Sequence, residues 1–314
     1  MIEILSSASG AVQTEDAITP GCWVRLILPT DQEITEVCVA LSLDSSDLRI
    51  LLDEEELPRL ELSAESTIVL VDTPYKTDEN DITSYQTIPA GFVLVKDCIV
   101  TISLRRNTIL DSFAAGKVKN ISTEKREEFL LRFLYANAGL FVQNLRMIDK
   151  RIEDIEKHLK RATRNAELFQ MLSLSKSLVY ITNSLKGNTA VLEKLSRSSM
   201  VLEKMGEKER ELLDDTVIEN RQAYEMAGNY SETVASTMST FASIINNNVN
   251  DIMRIFTIAT VLLAVPTLIA GFFGMNVAVP LTGTPGAFWL ILTASLGVSA
   301  LSMLFVYVRF MRGG

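Results

Sequence analysis

Two long apolar stretches without a charged residue close the sequence, and they constrain the fold more than any other feature. From Ile255 to Phe273 and from Ala287 to Val308 there is no Asp, Glu, Lys or Arg. Each stretch reaches the roughly 20 residues that a helix needs to cross the hydrocarbon core of a bilayer. The connection Val277–Gly286 contains two prolines and two glycines, which end a helix and turn the chain. The sequence therefore predicts a transmembrane helical hairpin.

The positive charges around the hairpin predict its orientation. Arg254 precedes the first stretch, Arg309 and Arg312 follow the second, and the connection carries no charge. Short segments rich in Lys and Arg stay on the cytoplasmic side of a membrane. The first 13 residues lack the basic start and the long apolar run of a signal peptide. We expect a multi-pass protein of the plasma membrane with both termini in the cytoplasm and the lipid bilayer as a partner.

The remaining sequence is charged and acidic. Lys and Arg number 30 against 39 Asp and Glu, which gives a net charge of −9. No carboxylate follows Asp251, so the excess negative charge belongs to the cytosolic region. This balance argues against nucleic acid as a partner and is compatible with divalent cations. Cys22, Cys38 and Cys98 form no Cys-x-x-Cys pair, which favours reduced thiols that are buried or incidental.

The cytosolic region begins with a predicted α/β subdomain, residues 1–118. Strands are expected where β-branched and aromatic residues are concentrated between turn residues, at Trp23–Leu28, Ser66–Asp72 and Gly91–Leu104. Helices are expected between them, at 33–43 and 109–115.

Long helices follow in the region 119–204, where apolar residues recur at alternating steps of three and four. The first series is Leu134, Ala138, Phe141, Leu145, Ile148, Ile152, Ile155 and Leu159; the second is Met171, Leu174, Leu178, Ile181, Leu185, Leu192 and Leu195. This spacing predicts an antiparallel pair of long helices, joined near Asn165 at the polar break 161–165.

A third helix is expected to begin near Glu207 and to continue to Phe273, first as a stalk (205–254) and then as the first transmembrane helix (255–276). One line along it is polar or small almost throughout. We call it the polar stripe: Asn229, Glu232, Ser236, Ser239, Ser243, Asn246, Asn250, Met253, Thr257, Thr260, Ala264, Thr267, Gly271 and Gly274. Packing of helices through small residues is one explanation. The extension of the stripe into the cytosolic part favours another, in which a ring of such helices encloses a hydrophilic tube.

The tripeptide Gly274-Met275-Asn276, the preceding segment Pro266–Gly271 and the two C-terminal spans resemble the CorA-type magnesium channels. The resemblance covers the whole architecture and is most specific from about Asp215 to Val308. It implies an α+β chain that forms a funnel-shaped homopentamer, in which a cytosolic α/β subdomain and long helices lead into the hairpin. The first span would line the pore. The second (287–308) would face lipid, with 277–286 as the extracytoplasmic turn and 309–314 as a cytosolic tail.

The resemblance implies roles for particular residues. Gly274, Met275 and Asn276 would form the selectivity filter, and the expected pore-lining residues are Asn250, Met253, Phe256, Thr257, Thr260, Ala264, Thr267 and Gly271. Met253 and Phe256 would form an apolar constriction, although core packing explains them equally well. Asp215 would bind intracellular Mg²⁺ that holds the channel closed. Its alternative reading is a favourable carboxylate near the start of a helix.

The chemistry of magnesium fits such a filter. Mg²⁺ binds oxygen ligands octahedrally and gives up its waters reluctantly. Five Asn276 carboxamides, with backbone carbonyls such as that of Gly274, would accept hydrogen bonds from those waters. The membrane potential would drive uptake. Mg²⁺ is thus the expected transported ion and also a possible regulatory one.

The sequence departs from the resemblance in two places. The turn 277–286 has no acidic residue, so electrostatic attraction of cations at the mouth is in doubt. The usual C-terminal lysine cluster is reduced to Arg309 and Arg312.

Other functional classes are less well supported. The single histidine, His158, has no nucleophile or metal-ligand companion, so we expect no enzyme. Two alternatives remain: a zinc, cobalt or nickel transporter on the same scaffold, and a membrane-anchored coiled-coil sensor whose spans enclose no water.

Overall fold

The computed structural model describes residues 1–7, 12–63, 65–79, 82–95, 97–118, 121–159, 165–277 and 284–311. Several predictions lie outside these residues: most of the polar break 161–165, most of the turn 277–286, and Arg312 in the tail. The side chains of His158 and Arg309 also lie outside the description. The described chain forms two compact units, residues 1–238 and 239–314.

The first unit contains a mixed sheet and most of the helices. Its strands are β1 (Ile2–Ser6), β2 (Gln13–Thr14), β3 (Trp23–Ile27), β4 (Arg59–Leu62), β5 (Ser66–Glu79), β6 (Ile82–Val95) and β7 (Cys98–Ser103). Its helices are α1 (Asp31–Leu41), α2 (Ser45–Ile50), α3 (Thr108–Ala114), α4 (Arg126–Leu159), α5 (Asn165–Arg197) and α6 (Ser199–Leu202). Helix α7 (Glu207–Phe273) begins here and continues into the second unit, which also contains α8 (Ala287–Met311).

The seven strands form one sheet in the order β2-β1-β3-β7-β6-β5-β4. β3 and β7 run parallel, with Trp23 opposite Ile99, and the other neighbours are antiparallel. β3 and β7 are buried along their whole length, because helices cover both faces of the sheet at its centre.

The predicted strands and helices of this sheet region are confirmed in kind but not in every boundary. The stretch Gly91–Leu104, expected as one strand, is divided between β6 and β7, which pair as an antiparallel hairpin. The residues between the two strands, Lys96 and Asp97, include no Gly or Pro to signal a turn. Strands β1, β2 and β4 and helix α2 were not predicted. All four are short, and the three strands are half-buried or exposed along most of their length.

Alternate residues of the central strands enter two different cores. Trp23 and Phe92 pack on the face covered by α4, where Trp23 lies 4.9 Å from Phe129 and Phe92 lies 4.5 Å from Phe133 between ring centroids. Val24 belongs to the opposite core, which α1 and α2 complete. The period of two along a strand produces this division.

The heptad-like spacing of the long helices correctly predicts their buried face. Every described side chain in the two series, from Leu134 to Ile155 and from Met171 to Leu195, is buried. Asn220 of α7 donates from Nδ2 to the Leu185 carbonyl at 3.2 Å and to Thr189 Oγ1 at 2.8 Å. These bonds fix α7 against α5 within the first unit.

Helix α7 begins at Glu207, as predicted, and ends at Phe273, three residues before the end predicted for the first transmembrane helix. It comprises 67 residues, which corresponds to about 100 Å at 1.5 Å per residue. Pro266 lies inside it. The apolar parts of α7 and α8 are both long and hydrophobic enough to cross a membrane, with mean hydropathies of 2.2 and 1.9 over 18-residue windows.

Candidate functional site

The predicted filter tripeptide begins directly after the last residue of α7. The Gly274 amide donates to the Ala270 carbonyl at 2.9 Å, and the Met275 amide donates to the Phe272 carbonyl at 3.4 Å. A Cβ atom on Gly274 would lie 3.1 Å from the Ala270 carbonyl oxygen, so glycine suits this close approach. Asn276 is exposed just beyond the helix. Its carboxamide therefore lies at the negative end of the helix dipole.

Three threonines of the polar stripe use their hydroxyl hydrogens within the helix. Thr257 donates to the Met253 carbonyl at 2.8 Å, Thr260 to the Phe256 carbonyl at 2.8 Å, and Thr267 to the Leu263 carbonyl at 2.7 Å. A hydroxyl that donates its hydrogen in this way retains acceptor capacity on its oxygen. The stripe thus offers acceptors, which suit the waters around a cation.

The described part of the second unit gives the two faces of α7 different surroundings. Ile258, Val261, Val265 and Ile269 are half-buried and lie on one face. The predicted pore-lining residues from Asn250 to Gly271 are all exposed. At about 100° per residue, the centre of the membrane part of the stripe lies about 120° around the helix from the half-buried face. The stripe is therefore uncovered in a single chain.

Helix α8 contributes a serine face to the hairpin. Ser295 and Ser299 are 4% and 1% exposed, and their hydroxyls bond to the carbonyls of Leu292 and Ser295 at 2.8 and 3.0 Å. Counted outward from the turn, these serines are level with Val265 and Val261 of α7. Small residues permit close contact between membrane helices. We infer that the serine face packs against the half-buried face of α7.

Sequence reasoning missed the serine face, although its signal was present. The two serines are four residues apart in a stretch without charges, which places them on one side of a helix. The resemblance implied that the second span faces lipid, so no buried side was expected on it.

The two expected constriction residues, Met253 and Phe256, are 58% and 64% exposed. Core packing within one chain, the alternative explanation for them, therefore does not apply to the structure described. Both side chains are available for contact outside their own chain or with water.

Asp215 lies at an open cleft of about 560 Å³ in the first unit. Ser122, Lys125, Glu128, Arg132, Lys208, Glu209, Glu211 and Leu212 complete its lining. Glu128 accepts hydrogen bonds from Arg132 at 2.6 and 2.8 Å and pairs with Lys125 at 3.3 Å. Burial raises the pKa of Glu128, but these two cations outweigh it and hold the pKa below its usual range.

The described residues of one chain do not form a complete metal site around Asp215. Among the residues that the structure describes, no three His, Cys, Asp or Glu side chains are grouped to hold a metal ion. The structure brings Asp215 near the charged residues of α4 and does not identify a carboxylate partner from the sheet.

Comparison with known proteins decides the family. The family described as "CorA-like Mg2+ transporter protein" matches residues 20–308, nearly the whole chain. The chain belongs to the CorA family. This is a family of membrane transport proteins and not of enzymes, and the two candidate spans of α7 and α8 agree with it.

Individual CorA relatives extend over most of the chain. The cobalt/magnesium transport protein CorA of Methanocaldococcus jannaschii is 29% identical over 297 residues, which cover 93% of this chain and 90% of that protein. The protein of the same name from Thermotoga maritima is 22% identical over 237 residues, covering 73% and 65%. The complete structure of the M. jannaschii CorA magnesium transporter has a TM-score of 0.79 at 25% identity and covers 100% of this chain and 98% of its own.

Proposed function

We propose that the chain is the subunit of a homopentameric channel through which the membrane potential drives Mg²⁺ into the cell. The observation that carries this proposal is the uncovered polar stripe of α7, which ends at Gly274, two residues before Asn276. Thr257, Thr260 and Thr267 are exposed within a segment long enough to span the bilayer. Lipid offers no hydrogen-bonding partner for such a face, so other copies of α7 and the water between them are its natural environment.

The filter operates by recognising the hydrated ion. Asn276 presents a carboxamide oxygen that accepts hydrogen bonds from the waters of Mg²⁺, and the ring of copies supplies several such oxygens. The negative end of the α7 dipole, at the last turn before Phe273, adds attraction for cations. This attraction partly replaces the acidic residue that the turn lacks.

Below the filter, the stripe conducts the ion with its water shell. The threonine oxygens accept hydrogen bonds without competing donation, because each hydroxyl hydrogen is held by the helix backbone. Met253 and Phe256 then form an apolar ring that stops conduction when it loses water.

The orientation follows from charge. Arg254 and the two arginines of the tail favour a cytoplasmic position for the first unit. A negative interior then favours entry of a divalent cation by about 4.6 kcal/mol per 100 mV, twice the value for one elementary charge.

Asp215 gives the channel a means of sensing the ion it admits. Its exposed carboxylate has no complete ligand set among the described residues of one chain, so we expect an intracellular Mg²⁺ bound there to take ligands from a neighbouring copy. Such a bridged ion holds the copies together in the closed arrangement. The zinc-transporter and anchored-sensor alternatives have no specific observation in their favour.

The test is Mg²⁺ uptake into proteoliposomes under an imposed potential, negative inside. We expect uptake by the wild type and its loss in Asn276→Ala. Thr293→Ala is the matched control, because Thr293 is an exposed polar residue of α8 whose hydroxyl bonds only its own helix at 2.8 and 3.1 Å. Co²⁺ and Zn²⁺ are assayed in parallel. Uptake of Zn²⁺ without Mg²⁺, or uptake unchanged by Asn276→Ala, would contradict the proposal.

A further inference from the structure

Cys22 and Cys98 are 76 residues apart in the sequence, and their sulfur atoms are in contact. The Cys22 thiol donates to the Cys98 sulfur at 3.5 Å, and the Cys98 thiol donates to the Thr19 carbonyl at 3.4 Å. Both residues are buried. The fold thus arranges two of its three thiols in a hydrogen-bonded pair.

The backbone around the pair fixes the two cysteines next to each other. They occupy the position just before Trp23 and Ile99, the first residues paired between the parallel strands β3 and β7. The Ile99 amide donates to the Cys22 carbonyl at 3.1 Å. Adjacent strands lie about 4.8 Å apart, and this spacing is within the Cα separation that a disulfide permits.

The pair lies directly beneath the protein surface. Thr19, Pro20 and Asp97 flank it and are exposed. The Gly21 amide donates to the Asp97 carbonyl at 2.7 Å and closes the turn over the sulfurs, and Gly21 has a φ of +83°, which favours glycine. A small oxidant needs only a local opening of this turn to reach Cys98.

We propose that Cys22 and Cys98 form a reversible dithiol–disulfide site, which a small peroxide oxidises and a thiol reductant restores. The Cys98 thiolate attacks one oxygen of hydrogen peroxide, the O–O bond breaks, and Cys98 becomes a sulfenic acid as hydroxide leaves. The Cys22 sulfur then attacks the Cys98 sulfur, and the S–O bond breaks as the S–S bond forms. In total, two thiols and one peroxide give one disulfide and two waters, because two electrons pass from the sulfurs to the peroxide.

The environment of each sulfur assigns the order of the two steps. Burial and the neighbouring Cys98 raise the pKa of Cys22 to about 12, so Cys22 stays protonated at neutral pH. It is therefore the second sulfur to react, and its proton leaves with the hydroxide as water. Cys98 lies at 6% exposure beside the turn and accepts the Cys22 hydrogen bond, which suits the sulfur that reacts first.

The disulfide would join the beginnings of two central strands. It would close the long segment between Cys22 and Cys98, which contains α1, α2 and strands β4 to β6. A cross-link over a segment of this length restricts the unfolded chain, so the oxidised first unit is expected to melt at a higher temperature than the reduced one.

The test counts thiols in the full-length protein in detergent. Reduced protein is treated with a small excess of hydrogen peroxide, then denatured and labelled with a maleimide mass tag. The wild type should fall from three tags to one and return to three after reductant. Cys38→Ser should fall from two tags to none. Cys98→Ser, which lacks the sulfur that reacts first, should keep two, whereas Cys22→Ser should fall from two to one, because its Cys98 sulfenic acid has no partner.

Cys38→Ser keeps the proposed pair, so it tests the site even where the other two variants do not fold. Its oxidised form should melt at a higher temperature than its reduced form. Retention of three tags by the folded wild type, a disulfide that includes Cys38, or a cross-link between chains would overturn the proposal. Coincident melting curves of reduced and oxidised Cys38→Ser would overturn the effect of the disulfide on stability.

Discussion

Asp72 of β5 and Asn188 of α5 exchange two hydrogen bonds across 116 residues of sequence. The Asp72 amide donates to Asn188 Oδ1 at 2.9 Å, and Asn188 Nδ2 donates to the Asp72 carbonyl at 2.9 Å. Strand β4 pairs with β5 only from Thr67 to Leu70. The carboxamide of Asn188 therefore satisfies backbone groups where the neighbouring strand has ended.

Replacing Asn188 by Ala should destabilise the first unit by about 2–3 kcal/mol. The change removes two hydrogen bonds and leaves the Asp72 amide without its partner in a buried place. Asn183→Ala is the control, because Asn183 is exposed on the same helix. Thermal or denaturant melts compare the variants with the wild type, and equal stability of the two variants would refute this role for Asn188.

Asp72 itself should make stability depend on pH. Burial raises the pKa of its carboxyl, and the hydrogen bond from Ser184 opposes that shift only in part. While the carboxyl is protonated in both the folded and the unfolded protein, its raised folded pKa does not lower the free energy of unfolding. The free energy of unfolding falls as pH rises from the unfolded pKa through the folded pKa, and the loss is complete above the folded pKa.

Asp72→Asn removes this penalty and retains an oxygen that accepts from Ser184. The variant should therefore melt at a higher temperature than the wild type near pH 8, and the difference should shrink as pH falls toward 4. Melting temperatures measured across this range decide the matter. A variant less stable than the wild type at every pH would show that the carboxylate is favourable in the folded protein.

Gly187 of α5 is required by its contact with Pro58. A Cβ atom there would lie 2.7 Å from Pro58 Cγ and 2.9 Å from Cδ, and a proline ring moves little. Gly187→Ala should cost about 1–3 kcal/mol of unfolding free energy. Gly139 of α4 has no such neighbour within 4 Å, so Gly139→Ala should instead stabilise the protein by about 0.5–1 kcal/mol. Equal effects at both positions in chemical melts would exclude the steric explanation.

The serine face of α8 gives a prediction for the membrane unit. Ser299 is 1% exposed, so Ser299→Leu inserts two additional heavy atoms into a buried place and should destabilise the unit by about 1–3 kcal/mol. Ser299→Ala should be tolerated. Val298→Leu is the control, since Val298, the neighbour of Ser299 on the helix, is 48% exposed. Thermal aggregation in detergent measures all three, and an unaffected Ser299→Leu variant would show that α7 does not pack there.

The sequence predicts the long helices better than the sheet, because the residues that a helix buries recur at regular steps within one segment. The series ending at Leu195 and the 67-residue α7 are recognisable from that period alone. The parallel pairing of β3 with β7 joins Trp23 to Ile99 and has no local signal. Short strands such as Arg59–Leu62 gain their stability from neighbours that the sequence does not identify.

In the candidate site, too, features that follow from spacing along a helix could be predicted, and contacts between distant residues could not. The polar stripe could be predicted from the spacing of its residues, whereas the first transmembrane helix was expected to end at residue 276 and α7 ends at Phe273. Two features depend on three-dimensional placement. They are the hydrogen bonds from the threonine hydroxyls to carbonyls of their own helix and the contact of Cys22 with Cys98. The partner of Asp215 was not identified from the sequence, and one chain does not contain a complete set of ligands for it among its described residues.

The most direct measurement of the proposed pathway is the water accessibility of Thr267 in the membrane. Thr267→Cys and Thr293→Cys are each reconstituted in liposomes and exposed to a small cationic thiol reagent that does not cross lipid, with the three buried native cysteines as background. A water-filled path along the stripe predicts rapid modification of Thr267→Cys, slowed by Mg²⁺, and little modification of Thr293→Cys. Equal, slow modification at both positions would contradict the account, because the stripe would then face a dry interface.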